Sequence, residues 1–208
     1  MEIHAPEGPT HSFKDFAIHI VIVTIGILIA LGLEGLRETW REHKAISEAR
    51  ESFDQELHLD QRFLALEVAA VGKANDDLKR IEADLPVLSK TPAELTKRVM
   101  DIKPGFYFFR TTAWESAVAS GVLAHMNHEE VSRYADVYLS IRNYQDAQKA
   151  SIPVWLAVQA FYLSHHTLSP AEQAAGEEKL QSFQLEMTIL DHLSGEFSGG
   201  LNSALLRN

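Results

Sequence analysis

The chain contains no cysteine in its 208 residues, which removes disulfides, thiolate metal centres and a cysteine nucleophile from consideration. Prolines number seven and glycines eleven, so helix-breaking positions are few enough to be read one by one. Basic charge is scarce as well. Nineteen Lys and Arg stand against 29 Asp and Glu, a formal net charge of −10. No Lys/Arg cluster supplies the basic face that phosphate contacts need, so nucleic acid is not an expected partner. No segment alternates apolar and polar residues between hairpin turns, and no internal repeat is evident. Neither G-x-S-x-G, a glycine-rich phosphate loop nor a Ser/His/Asp spacing occurs, and the helical metal patterns H-E-x-x-H and E-x-x-H are missing. The expectation is a protein that is not an enzyme and carries no cofactor and no metal.

What the chain does have is Phe16–Leu33, FAIHIVIVTIGILIALGL, a run without charge in which only His19 and Thr24 are clearly polar. As a helix it reaches about 27 Å, close to the hydrocarbon thickness of a bilayer. A transmembrane helix over residues 16–36 is expected, and membrane lipid is the first expected partner. A signal peptide would need a basic start and a shorter apolar core; here Lys14 stands beside Glu2, Glu7 and Asp15. A buried soluble helix would show one polar stripe, and this run is apolar all round. His19 sits three residues inside the span, within reach of the headgroups. Gly26 and Ala30 form a small-xxx-small pair on which a second helix can pack. One Lys precedes the span (Lys14) and three basic residues follow it (Arg37, Arg41, Lys44), so the positive-inside rule leans towards a cytoplasmic C-terminal domain. A long tail can translocate regardless of these charges, and the side stays open.

Nearly everything beyond the span reads helical. Leu36, Trp40, Ile46, Ala49, Phe53, Leu57, Leu64, Val68, Val71, Leu78, Ile81 and Leu85 recur mostly at three, four or seven residues, the helical period. The membrane helix is therefore expected to run on as a long amphipathic helix that Pro86 ends. Glu34/Arg37 and Glu38/Arg41 are opposite-charge pairs one turn apart; with Trp40 they form a juxtamembrane collar. Thr91-Pro92-Ala93-Glu94 reads as a capping box opening a helix to about Ile102. A helix over Thr112–Ser120 is expected to stop at Gly121. Asn127 and Glu130 signal the next start, with Val131, Tyr134, Tyr138, Ile141 and Gln145 on one stripe and Pro153 kinking or dividing the helix. Ser169-Pro170-Ala171-Glu172 opens the last helix, with Leu180, Phe183, Met187, Leu190 and Leu193 inward and Gly195, Gly199 and Gly200 ending it. The fold class is all-α. The domains are a tail over 1–15, the span over 16–36 and a helical bundle over 37–208.

Candidate site residues are few. Ten histidines invite a metal reading, but His125 and His128 straddle a helix start and suit a solvated cap. His165 and His166 fall at a helix end, where a cationic imidazole favours the dipole. Phe106, Tyr107, Phe108 and Phe109, followed by Arg110, are the clearest oddity outside the span. Four consecutive aromatics cannot share one helical face. Two or three are expected in the bundle centre; the other reading is a loop that docks onto a partner or a membrane surface. Trp114 is expected in the core and Glu115 beside Arg110.

The block from Gly26 to Glu42, GILIALGLEGLRETWRE, resembles the signature of a broad group of bacterial single-pass membrane proteins of unknown function. These combine a G-[IV]-[LF]-[IL]-A-L span, a Trp/Glu/Arg juxtamembrane segment and a helical domain. Thr112–Ser116 and Ser120–Leu123 are similar to a second recurring element of that group. Many members have a basic N-terminus, which this chain lacks, so no orientation follows. The resemblance implies an architecture and a bacterial inner-membrane location, and no activity. The expected role is that of an accessory, assembly or scaffold subunit that binds another membrane protein or a second copy of itself. A membrane-anchored sensory or small-ligand-binding domain is the alternative.

Overall fold

A computed structural model describes residues 13–165 and 167–205. Among these residues there are five α-helices and one 3-10 turn, with no strand: α1 (Phe13–Leu88), α2 (Pro92–Asp101), α3 (Thr112–Ser120), the turn Val122–His125, α4 (His128–Ser164) and α5 (Pro170–Leu205). The protein is all-α. The tail expected over 1–15, as far as residue 12, and His166 lie outside the described residues.

The chain divides into two compact units, 1–47 and 48–208, with the boundary inside α1. In the first unit, α1 carries an 18-residue window of mean hydropathy 2.7, none of it buried, long and apolar enough to cross a membrane. Beyond it the contacts are local. Arg41 pairs with Glu38 at 2.9 Å, the Thr39 hydroxyl donates to the Gly35 carbonyl at 3.0 Å, and the Lys44 ammonium lies 5.8 Å from the Trp40 ring centroid. Leu36 and Trp40, apolar members of the expected stripe, are exposed.

The second unit is built on α1 from Glu48 onward, α4 and α5. α1 and α4 run parallel: Arg50 meets Glu130, Phe53 packs on Tyr134 and Tyr138, and further along Glu67 meets Tyr144 and Gln148. α5 runs antiparallel to both. Trp155 stacks on Phe183 with centroids 4.7 Å apart, Gly176 lies against Tyr162, and Asn75 reaches the Met187 carbonyl. Two parallel helices cannot be joined by a tight turn, so the chain must travel back between them. Residues 89–127 make that return through α2, a strap over 102–111 that is neither helix nor strand, α3 and the 3-10 turn.

Several helix ends depart from expectation. Pro86 does not end α1, which runs to Leu88. A proline in a last turn removes one hydrogen bond, and burial of Leu88 holds the turn together. Pro153 does not divide α4, because Ser151, Trp155 and Val158 keep one buried stripe through it. That stripe passes through Val137, Tyr144 and Gln148 and leaves Val131 and Gln145 half-buried. Gly195, Gly199 and Gly200 lie within α5; Phe197, Leu201 and Ala204 stay buried, and Gly200 lets the helix approach Ser140 and Val137 closely. Leu193 is half-buried and its neighbour Ser194 faces inward. Thr91 forms no side-chain cap; its hydroxyl donates to the Leu88 carbonyl. Ser169 and Glu172 do form the reciprocal box, at 2.7 and 3.4 Å.

Candidate functional site

The buried face of α1 carries Phe53, Leu57, Leu64 and Val71, and set among them Glu56, Asp60 and Glu67, whose exposures are 9%, 0% and 0%. Taking a carboxylate out of water costs several kcal/mol or more unless partners replace the water. The strap supplies those partners. The Tyr107 N–H donates to Glu67 at 2.7 Å, the Arg110 N–H to both oxygens of Asp60 at 3.1 and 3.2 Å, and the Ala113 N–H to both oxygens of Glu56 at 3.1 Å. The order is antiparallel, as the return direction requires. From Asp60 to Glu67 the helix rises about 10 Å, about the distance that three residues of extended chain, Tyr107 to Arg110, cover. Ala113 lies in the first turn of α3, where N–H groups lack helical partners; Glu56 caps that helix from another element.

The carbonyls of the strap are satisfied by amides. Gln145 donates to the Phe109 carbonyl at 2.6 Å and Gln148 to the Tyr107 carbonyl at 2.9 Å. Tyr138 donates its hydroxyl to Glu56 at 3.0 Å and Tyr144 to Glu67 at 3.1 Å. A buried connection needs its backbone groups paired. Here acids of α1 take the N–H groups and amides of α4 serve the carbonyls.

The electrostatics follow from this burial. Desolvation pushes the Asp60 carboxyl up to about 7; the Arg110 N–H opposes the shift, and the nearby Glu56 adds to it. Glu67 is also raised by burial, against the hydrogen bonds from Tyr107, Tyr144 and Gln148. The phenols of Tyr138 and Tyr144 are held above their ordinary range by burial and by the adjacent carboxylates. At the α4 start, by contrast, the Arg50 guanidinium grips Glu130 at 2.6 and 2.7 Å and holds that carboxyl below its usual range.

Two consecutive residues with positive φ turn the chain into the strap, Gly105 at 95° and Phe106 at 60°. A Cβ on Gly105 would stand 2.9 Å from the Ala70 Cβ and 3.3 Å from a Glu67 oxygen, so glycine is required by conformation and by space. Phe106 adopts the left-handed region without that freedom, a conformation costing about 1 kcal/mol or more.

The aromatic run is split by the strap. Phe109 alone enters the core, edge-on to Tyr144 and Phe197 with centroids at 5.6 and 4.9 Å. Tyr107 is half-buried and stacks on Phe63 at 6.0 Å, Phe106 is half-buried, and Phe108 is 70% exposed. This corrects the expectation of two or three in the centre: extended chain sends neighbouring side chains to opposite sides. Trp114 is half-buried, stacked on Tyr138 at 5.4 Å. Glu115 accepts from the Thr111 hydroxyl at 2.8 Å instead of standing with Arg110.

Of the other expected positions, Gly26, Ala30, Glu34, Arg37, Trp40 and Arg41 are exposed and Glu38 half-exposed, all in the first unit. His125 and His128 are exposed, and among the described residues no group of three or more His, Cys, Asp or Glu is disposed to hold a metal. His165 sits at the α4 C-terminus, its Nδ1 2.8 Å from the Phe161 carbonyl and its ring stacked on Phe161. A shallow groove between α1 and α5 is lined by Leu78, Leu85, Leu180, Glu82, Glu177, Gln181 and Gln184. Sequence reasoning missed Glu56, Asp60 and Glu67. The signal was there: acids at four- and seven-residue spacing, interleaved with the apolar stripe they share. The chain matches no protein-family model, no curated protein and no solved structure.

Proposed function

We propose that the chain is a single-pass bacterial inner-membrane protein without enzymatic activity, whose helical unit binds a protein partner as an accessory, assembly or scaffold subunit. The observation that carries this reading is one helix used in two ways. α1 leaves a charge-free 18-residue window wholly unburied, then supplies one wall of a packed bundle. An unburied apolar helix of that length suits lipid. In the bundle, Glu56, Asp60, Glu67 and Glu130 are all engaged in holding neighbouring segments, which suits a scaffold better than a reaction centre. The resemblance to single-pass membrane proteins of unknown function points the same way, and the charge flanks favour a cytoplasmic bundle.

The test is extraction of the full chain in a mild detergent, followed by mass spectrometry of the sized complex. A stoichiometric partner, or a defined homo-oligomer, is the expected result; a lone monomer contradicts the reading. A C-terminal reporter fusion active only in the periplasm reverses the orientation. The sensory alternative draws on Asp60, whose carboxyl changes charge near neutral pH. A lone monomer whose strap amides shift between pH 6 and 8 would favour it.

A further inference from the structure

We infer that the strap is a latch worked by one proton: its Tyr107 end is fixed to α1 and α4, and its Arg110 end lifts when the Asp60 carboxyl ionises. The inference goes beyond the partner-binding reading and does not depend on it.

The three acids of α1 receive different numbers of donors. Glu67 takes the Tyr107 N–H, the Tyr144 hydroxyl and the Gln148 amide, and Gln148 also donates to the Tyr107 carbonyl. Both peptide units that flank Tyr107 are thus held. Glu56 takes the Ala113 N–H and the Tyr138 hydroxyl. Asp60, wholly buried, has among the described residues one donor, the Arg110 N–H, shared between its two oxygens. At this end a single peptide unit is gripped, its N–H by Asp60 and its carbonyl by Gln145. A buried carboxylate with one donor is poorly compensated for the water it has lost, whereas a neutral carboxylic acid asks far less of the same place.

The charged neighbours set the same preference. On α1 the charge of Glu56, one turn earlier, opposes a second negative charge at Asp60. On the strap the exposed Arg110 guanidinium and its N–H favour that charge but offset only part of the burial. On α4 the Tyr138 phenol is held neutral by the same two acids, and among the described residues no group of α5 acts on Asp60. The Asp60 carboxyl therefore stands at about 7, against an ordinary 3.8. Glu67 is raised as well, but there the shift is opposed by Tyr107, Tyr144 and Gln148 together. Lifting the Arg110 end lets water reach Asp60 and restores its ordinary value. Opening is thus favoured as pH climbs above 3.8 and levels off beyond about 7.

The test is amide hydrogen exchange of the full chain in a mild detergent, resolved to single residues, with each rate divided by that of unstructured chain at the same pH. Protection of the Arg110 amide should fall about fiftyfold between pH 5 and 7 and about twofold from 7 to 8, while that of Tyr107 changes less than about fivefold. Asp60→Asn keeps an acceptor and cannot ionise, so Arg110 protection should stay within about twofold across this range. Glu56→Gln keeps an acceptor for Ala113 and Tyr138 and removes the neighbouring charge. There the fall should persist with its levelling point moved to lower pH, a shift that a purely structural Asp60 would not show. A flat profile in the unaltered chain, equal loss at Tyr107 and Arg110, or a fall that survives Asp60→Asn overturns the inference.

Discussion

The two halves of α1 invert the usual rule of burial. Over residues 16–36 every side chain is exposed and nearly all are apolar; over residues 53–78 the buried face includes Glu56, Asp60 and Glu67. The same helical backbone serves both because its own hydrogen bonds are complete, so side chains alone decide the environment. The first half has apolar groups, and among the described residues nothing packs on them. The second has carboxylates and a strap whose N–H groups need acceptors. The exposed apolar stretch is long and apolar enough to cross a membrane, and the buried acids mark where backbone would otherwise go unpaired.

The sharpest way to break this contrast is Glu67→Ala. It strips the Tyr107 N–H, the Tyr144 hydroxyl and the Gln148 amide of one acceptor at once. Denaturant unfolding of the full chain in detergent should show a loss of about 3 kcal/mol or more. Asp60 comes next. Its folded value, about 7, stands above the ordinary 3.8. The folded chain therefore holds this proton more tightly, and the stability it contributes is full below pH 3.8 and lost as pH rises through about 7. Asp60→Asn should flatten that part of the pH–stability curve. Glu130 has the opposite sign: its lowered carboxyl contributes above the usual Glu range and is lost in acid.

Gly105→Ala tests the entry to the strap. The positive φ and the close approach to Ala70 together should cost about 2 kcal/mol, read from the same unfolding curve. The smallest effect is expected in the other half of the helix. Leu28→Ala has no packed neighbour to lose in the described structure, so bundle unfolding should stay within about 0.5 kcal/mol. A larger loss at Leu28 than at Glu67 would erase the distinction between the halves.

The all-α class, the long first helix and the α3 bounds were legible because helical period and turn residues are local signals. Gly121, in the left-handed region at φ 74°, stops α3 as its sequence position implies, and Asn127 caps α4 with its side chain. The glycines of α5 misled because their tolerance comes from tertiary contact, with Gly200 lying close against α4. Thr91 misled because a capping pattern states an opportunity, and its hydroxyl found the Leu88 carbonyl instead. The carboxylate-laced strap was only half legible. The acids sit at helical spacing on the apolar face, but their acceptor role depends on residues 107, 110 and 113, forty to fifty-seven positions away. No local pattern encodes that pairing.

Because the chain has no native cysteine, single introduced cysteines can carry spin labels along α1 of the full protein in lipid vesicles. Accessibility to oxygen and to a water-soluble nickel chelate then reports each environment. The account requires positions 18–31 to be open to oxygen and closed to nickel all round the helix. Along positions 51–85 it requires a 3.6-residue rhythm, with nickel access high at the exposed positions 55, 62, 66, 69 and 73 and low at the half-buried positions 59, 63 and 70, the three acids being left in place. Nickel access along the first stretch, or equal access all round the second, would contradict it.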